Sequence, residues 1–227
     1  MALFASLSIL ANYHLPLSGA LGFLRMKRIF LFFIITLNSH TIFSENYLEP
    51  IPPFDRLGYN EALVESFIGN ESPEIWMIVR PSFKLPYAVM VYKKENEYIL
   101  TSAKLNEKIF KYKKVGNRNF VDINPTKNVE YKSNNFEFHE LDEILSLWTS
   151  GLKLTRYPSE RVLGKDGVTY LFYSKGKLYG QTWSPKTGFA LNFVKLGSIL
   201  HQLSAHSNTD KSELLKKAKA LASVVGG

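Results

Sequence analysis

The chain has 227 residues, no cysteine, and 28 Lys and Arg against 20 Asp and Glu, for a formal net charge of +8. That composition excludes a disulfide scaffold, a thiol nucleophile and a cysteine-linked lipid anchor. The basic excess falls further once three basic residues of an expected leader and its extension (Arg25, Lys27, Arg28) are set aside, and it is too mild for a dedicated nucleic-acid binder.

Residues 1–25 are apolar, contain Pro16 and carry no charge before Arg25. Met26-Lys27-Arg28 then opens a second beginning. It is followed by an unbroken apolar run, Ile29 to Leu37, a polar stretch from Asn38, and small residues at Ser39, Thr41 and Ser44. Charge, apolar core and small-residue boundary in that order are the pattern of a signal peptide. Residues 26–44 are expected to be such a leader, of the bacterial export type and cleaved between His40 and Glu45. Residues 1–25 then read as an over-extended start or a leader extension. A membrane span needs about 20 mostly apolar residues, more than this run supplies, so no stable span is expected after cleavage.

Residues 45–227 are expected to form one domain. Pro50, Pro52 and Pro53 keep its first segment extended. Tyr59, Leu63 and Phe67 recur every four residues and predict a short helix, ended by Gly69-Asn70 and Pro73. Three β-rich runs follow, at Ile75–Val79, Tyr87–Tyr92 and Tyr98–Ala103, with Lys94-Glu95-Asn96 as the turn between the last two. Two further short strands are predicted at Ile109–Lys113 and Asn119–Ile123. Helical periodicity resumes at Glu140, where Leu141, Ile144, Leu145, Trp148 and Leu152 form one apolar stripe. Asp166-Gly167 signals a turn. Val168–Tyr173 and Leu178–Trp183 then read as a hairpin, and the first is apolar on both faces, as an inner strand must be. Phe193 to Leu203 and Leu214 to Ala222 predict two closing helices, the second introduced by an Asp210–Glu213 pair resembling a capping box. Grouped strands and grouped helices indicate an α+β fold with a mainly antiparallel sheet and about four helices, two of them C-terminal.

Glycine-rich phosphate loops, dinucleotide fingerprints and nucleophile elbows are absent, so neither a cofactor nor a metal is expected, and no catalytic residue is assigned. Ser150–Lys153 and Ser174–Lys177 match S-x-x-K, a motif too short to carry an assignment alone. His139-Glu140-Leu141-Asp142-Glu143 reads either as first-turn carboxylates favoured by the helix dipole or as an acid–base group. In the basic stretch Lys104 to Arg118, Phe110 and Tyr112 alternate with Lys111 and Lys113. On a strand, that spacing puts the rings on one face, half-buried, and the ammonium groups on the other. Lys111 and Lys113 are therefore candidate contacts for an anionic polymer or an acidic partner. The aromatic hairpin gathers Tyr170, Phe172, Tyr173, Tyr179 and Trp183. Arg156, Gln181 and Trp183 are its candidate ligand contacts.

Thr155-Arg156-Tyr157, Asp166-Gly167-Val168-Thr169-Tyr170 and Gly180-Gln181-Thr182-Trp183-Ser184-Pro185 together resemble a segment of small exported bacterial proteins. The resemblance implies a standing hairpin in a shared fold and no particular activity. The function expected from all of this is that of an exported, soluble binding or accessory protein of the bacterial envelope, periplasmic or secreted. Its partner would be a protein or an anionic envelope component. The alternative is an enzyme acting on an envelope polymer with acids from the His139–Glu143 group.

Overall fold

The computed structural model describes residues 48–50, 58–115, 118–156, 166–205 and 210–226. The expected leader and the preceding extension lie outside these residues, as do Tyr157 and Pro158. The described elements in chain order are α1 (Tyr59–Phe67), β1 (Ile75–Pro81), β2 (Tyr87–Lys93), β3 (Glu97–Leu105), β4 (Phe110–Val115), β5 (Arg118–Ile123) and β6 (Val129–Glu137). After these come α2 (Phe138–Leu152), β7 (Val168–Ser174), β8 (Leu178–Trp183), α3 (Gly188–Ala205) and α4 (Lys211–Gly226). Six strands make one sheet in the order β6-β3-β2-β1-β7-β8, and β4 and β5 form a separate two-stranded ribbon. All paired strands are antiparallel. The chain is thus α+β with a mainly antiparallel sheet, and α3 and α4 are its two C-terminal helices.

The β-rich runs and turn signals of the sequence anticipated every described strand but β6. That strand carries Lys132, Ser133, Asn134 and Asn135, and Phe136 is its only fully buried residue. It runs along the edge of the sheet beside β3, where hydrogen bonding rather than apolar alternation holds it.

Strand β1 is apolar on both sides because both sides are covered. Ile75, Met77 and Val79 point into a core shared with α2, α3 and α4, while Trp76 and Ile78 join a second core under α1. The same split runs through β7, where Phe172 faces the three helices and Leu171 faces α1. As expected of an inner strand, β7 lies between β1 and β8. Trp148 of α2, fully buried, packs between Phe172 at 5.7 Å and Phe193 at 4.6 Å between ring centroids. Its indole N–H donates to the Tyr173 carbonyl at 3.1 Å, so the ring's one polar atom is satisfied inside the core.

The helical layer is tight enough to require glycine at one crossing. A Cβ on Gly151 would lie 2.6 Å from the Phe193 ring and 2.6 Å from the Val225 carbonyl oxygen of α4. Substitution Gly151→Ala should therefore force backbone movement and destabilise the protein by about 1–3 kcal/mol, measured as a lowered unfolding midpoint.

His201 of α3 packs edge-on against Tyr87 at 4.8 Å. Burial, helped by Lys132, pushes its pKa below the ordinary 6.5. The native state thus refuses a proton that the unfolded chain accepts as pH falls below 6.5, and stability drops through that window. A His201→Gln variant should lose less stability between about pH 7.5 and about pH 5.5 than the parent does, compared by urea midpoints.

Candidate functional site

The residues singled out from sequence fall in separate places. Lys111 and Lys113 lie on the β4–β5 ribbon, opposite Asp122 and Phe120 respectively, while Tyr112 faces Val121 and Phe110 faces Ile123. Directly opposed residues share a face, so along β4 the rings and ammonium groups alternate as expected, while Phe120 of β5 sits on the lysine face beside Lys113. The expected half-burial holds only at the base of the ribbon. There Ile109 is buried and the Phe110 ring lies 6.1 Å from Tyr59 of α1. Thr126 bonds the Glu107 carboxylate, and its N–H donates to Ser66 Oγ of α1 at 3.0 Å. Farther out, Tyr112 is 77% exposed, and Phe120 and Val121 are exposed as well. The reason is topological: the ribbon is not part of the main sheet, and among the described residues no second layer lies on its outer part.

Gln181 and Trp183 share the α1 side of the sheet. Antiparallel register lines up three rows across β1, β7 and β8: Trp76–Tyr173–Tyr179, Ile78–Leu171–Gln181, and Arg80–Thr169–Trp183. Trp183 packs on the turn before β7, since a Cβ on Gly167 would come within 2.6 Å of its indole. Gln181 exchanges both backbone hydrogen bonds with Glu49, at 2.7 and 2.6 Å. Arg156 lies beyond α2, its backbone N–H donating to the Leu48 carbonyl at 2.8 Å. The fold thus brings Gln181 and Trp183 onto one face and Lys111 and Lys113 onto the separate ribbon, while Arg156 adjoins the Leu48–Glu49 segment that pairs with Gln181.

The first of those rows floors a cleft of about 570 Å³ between α1 and the β1–β7–β8 end of the sheet. Trp76 and Tyr173 stack nearly parallel, 5.4 Å apart at 12°, and Tyr179 continues the row at 5.2 Å from Tyr173 and tilted by 51°. The wall is the outer flank of α1, with Glu61, Val64 and Glu65, and the end is the segment from Gly69 to Pro73, carrying Glu71. Burial, followed by the neighbouring Tyr179 and Glu74, raises the Tyr173 hydroxyl above its ordinary pKa against the opposing pull of Lys175. Burial also raises Tyr92, with the charge and hydrogen bond of Glu71 adding to it. Sequence reasoning missed Trp76 and the three glutamates. Glu61 and Glu65 look like the solvent side of an amphipathic helix, and the alignment of Trp76 with Tyr173 depends on a pairing between strands far apart in the chain.

The His139–Glu143 group serves the start of α2. Glu140 accepts a hydrogen bond from the Glu137 N–H at 2.8 Å and pairs with Lys211 of α4 at 3.0 Å. Asp142 accepts the Tyr98 hydroxyl at 2.6 Å, and Glu143 lies 3.8 Å from Lys219. Ser174, from one S-x-x-K match, is buried and shares a 2.7 Å hydrogen bond with Thr149. Among the described residues, no group of three or more His, Asp or Glu is placed to hold a metal ion. In comparisons with known proteins, no family model, curated protein or solved structure matches this chain.

The row of rings divides by burial into framework and accessible surface. Trp76 is 5% exposed and Tyr179 43%. Trp76→Ala should destabilise the fold by about 3–5 kcal/mol, whereas Tyr179→Ala should stay within about 1 kcal/mol of the parent. Chemical denaturation of the two variants side by side checks the difference.

Proposed function

We propose that this chain is an exported binding protein of the bacterial envelope, periplasmic or secreted, that docks on an anionic envelope polymer through the β4–β5 ribbon. The observation that carries the reading is the ribbon itself. Lys111, Lys113 and Lys114 are exposed on it and Lys108 just before it, interleaved with the exposed Tyr112, Phe120 and Val121. Clustered cations attract a polyanion at a distance, and uncovered rings add apolar contact once it arrives. An apolar surface left outside the core, rimmed by charge, marks an interaction site more often than a packing defect.

Two sequence features support the compartment: the leader pattern of residues 26–44 and the likeness of the Asp166–Pro185 segment to small exported bacterial proteins. The acids that an enzymatic reading requires are committed to capping α2 and pairing with α4 and Tyr98, which favours binding over hydrolysis.

The test is a Lys111→Glu/Lys113→Glu double variant titrated against heparin as a model polyanion. Loss of two exposed charges should change stability by less than about 0.5 kcal/mol each. Binding should weaken by about tenfold or more and fade with added salt, as screened attraction does beyond about 8 Å. Salt-insensitive binding, equal in parent and variant, would reduce these lysines to solubilising charges.

A further inference from the structure

The ribbon leaves the cleft on the other flank of α1 unexplained, and its chemistry is opposite in sign. Helical spacing puts Tyr59, Ala62 and Ser66 toward the ribbon side of α1 and Glu61, Val64 and Glu65 toward the cleft. Three glutamates line the cleft and no lysine or arginine does, in a chain whose formal net charge is +8. Lys175, whose charge reaches Tyr173, is paired with Glu74 at 2.6 Å. Glu61 and Glu65 stand one helical turn apart, a like-charged spacing that destabilises a helix slightly instead of supporting it. Across from them lie the edges and faces of Tyr173 and Tyr179, beside the apolar side chains of Val64 and Leu171.

We propose that this cleft is a second binding site, and that it takes an organic cation: an ammonium or guanidinium group carried on an apolar stem. Three features converge on that class. Aromatic faces attract cations through the negative charge of their π systems, most strongly where water is partly excluded. Carboxylates give short, charge-assisted hydrogen bonds to N–H donors. The apolar strip between the rings and the helix accommodates a methylene chain, which both lysine-like and arginine-like groups carry. An anion would face three carboxylates; Glu71 already accepts a hydrogen bond from Tyr92, and Glu61 and Glu65 are the exposed pair that a cation would meet. The volume, about 570 Å³, falls within the usual range of about 300–1,000 Å³ for a small-molecule site.

The same chemistry occurs on a basic side chain of a peptide and on a free diamine, and the experiment separates the two. The purified protein is titrated by calorimetry, with tryptophan fluorescence in parallel, against a blocked tripeptide centred on arginine, its citrulline counterpart, and 1,5-diaminopentane. Saturable binding of the arginine peptide but not the citrulline peptide supports a peptide-borne cation. Saturation by the diamine alone supports a free amine. In either case, Glu61→Gln/Glu65→Gln should weaken binding by about tenfold, and Tyr179→Ala should weaken it too, since all three side chains are exposed and removable without unfolding. The Lys111→Glu/Lys113→Glu variant should bind the cation as the parent does, which keeps this site separable from the ribbon. Equal binding of arginine and citrulline peptides, undiminished binding in the double glutamine variant, or no saturable binding of any cationic probe overturns the proposal.

Discussion

Burial of β1 and β7 on both faces is the constraint on which the rest of the molecule depends. An antiparallel sheet with one wet face would alternate apolar and polar residues, but these strands place Met77 and Phe172 on one side and Ile78 and Leu171 on the other, all almost fully buried. Each side must then be roofed. Three helices cover the first face, locked by the Trp148–Phe172–Phe193 contacts and by the close crossing at Gly151. Among the described residues, the second face is covered by α1 and the base of the ribbon.

That imbalance generates the site. A helix of nine residues is about 14 Å long, whereas six strands spaced about 4.8 Å apart span about 24 Å. Whatever its direction, α1 cannot cover the whole face. It seals Ile78, Ala88, Met90 and Ala103 toward the middle of the sheet and leaves the row from Trp76 to Tyr179 partly roofed. The cleft is the uncovered remainder of a face that had to be aromatic and apolar to bury its inner strands. Function, on this view, is attached where the helical layer runs out.

The strands and helices were legible in sequence wherever burial imposed a period. Runs of β-branched, aromatic and apolar residues bounded by turn signals identified β1, β2, β3, β7 and β8, and the stripe from Leu141 to Leu152 identified α2. Strand β6 escaped because an edge strand with a solvated face needs no period: Lys132, Ser133 and Asn135 satisfy the backbone ladder as well as valines would. The ribbon's alternation was read correctly and its burial was not, because periodicity tells which residues share a face but not whether anything lies on top of it. Tyr112 is the instance. Among the site residues, Gln181 and Trp183, singled out through the density of aromatic residues in their hairpin, share the sheet face of the cleft without lining it. Trp76 could not be joined to them, since only the register of β1 against β7 aligns it with Tyr173 and Tyr179.

That register also sets an order of assembly. Strands β1, β2 and β3 are neighbours in the chain as well as in the sheet, and so are β7 and β8. Joining the two groups brings Ile75 opposite Ser174 across most of the domain's length. Loop-closure entropy must be met before such a pairing is rewarded, so non-local junctions of this kind form late and slow the folding of β-rich domains. The aromatic row straddles this junction, Trp76 on one side and the two tyrosines on the other. A chain stalled with its first three strands paired holds Trp76 alone of the row and no cleft. Competence to bind at the cleft and completion of the sheet are therefore a single kinetic event.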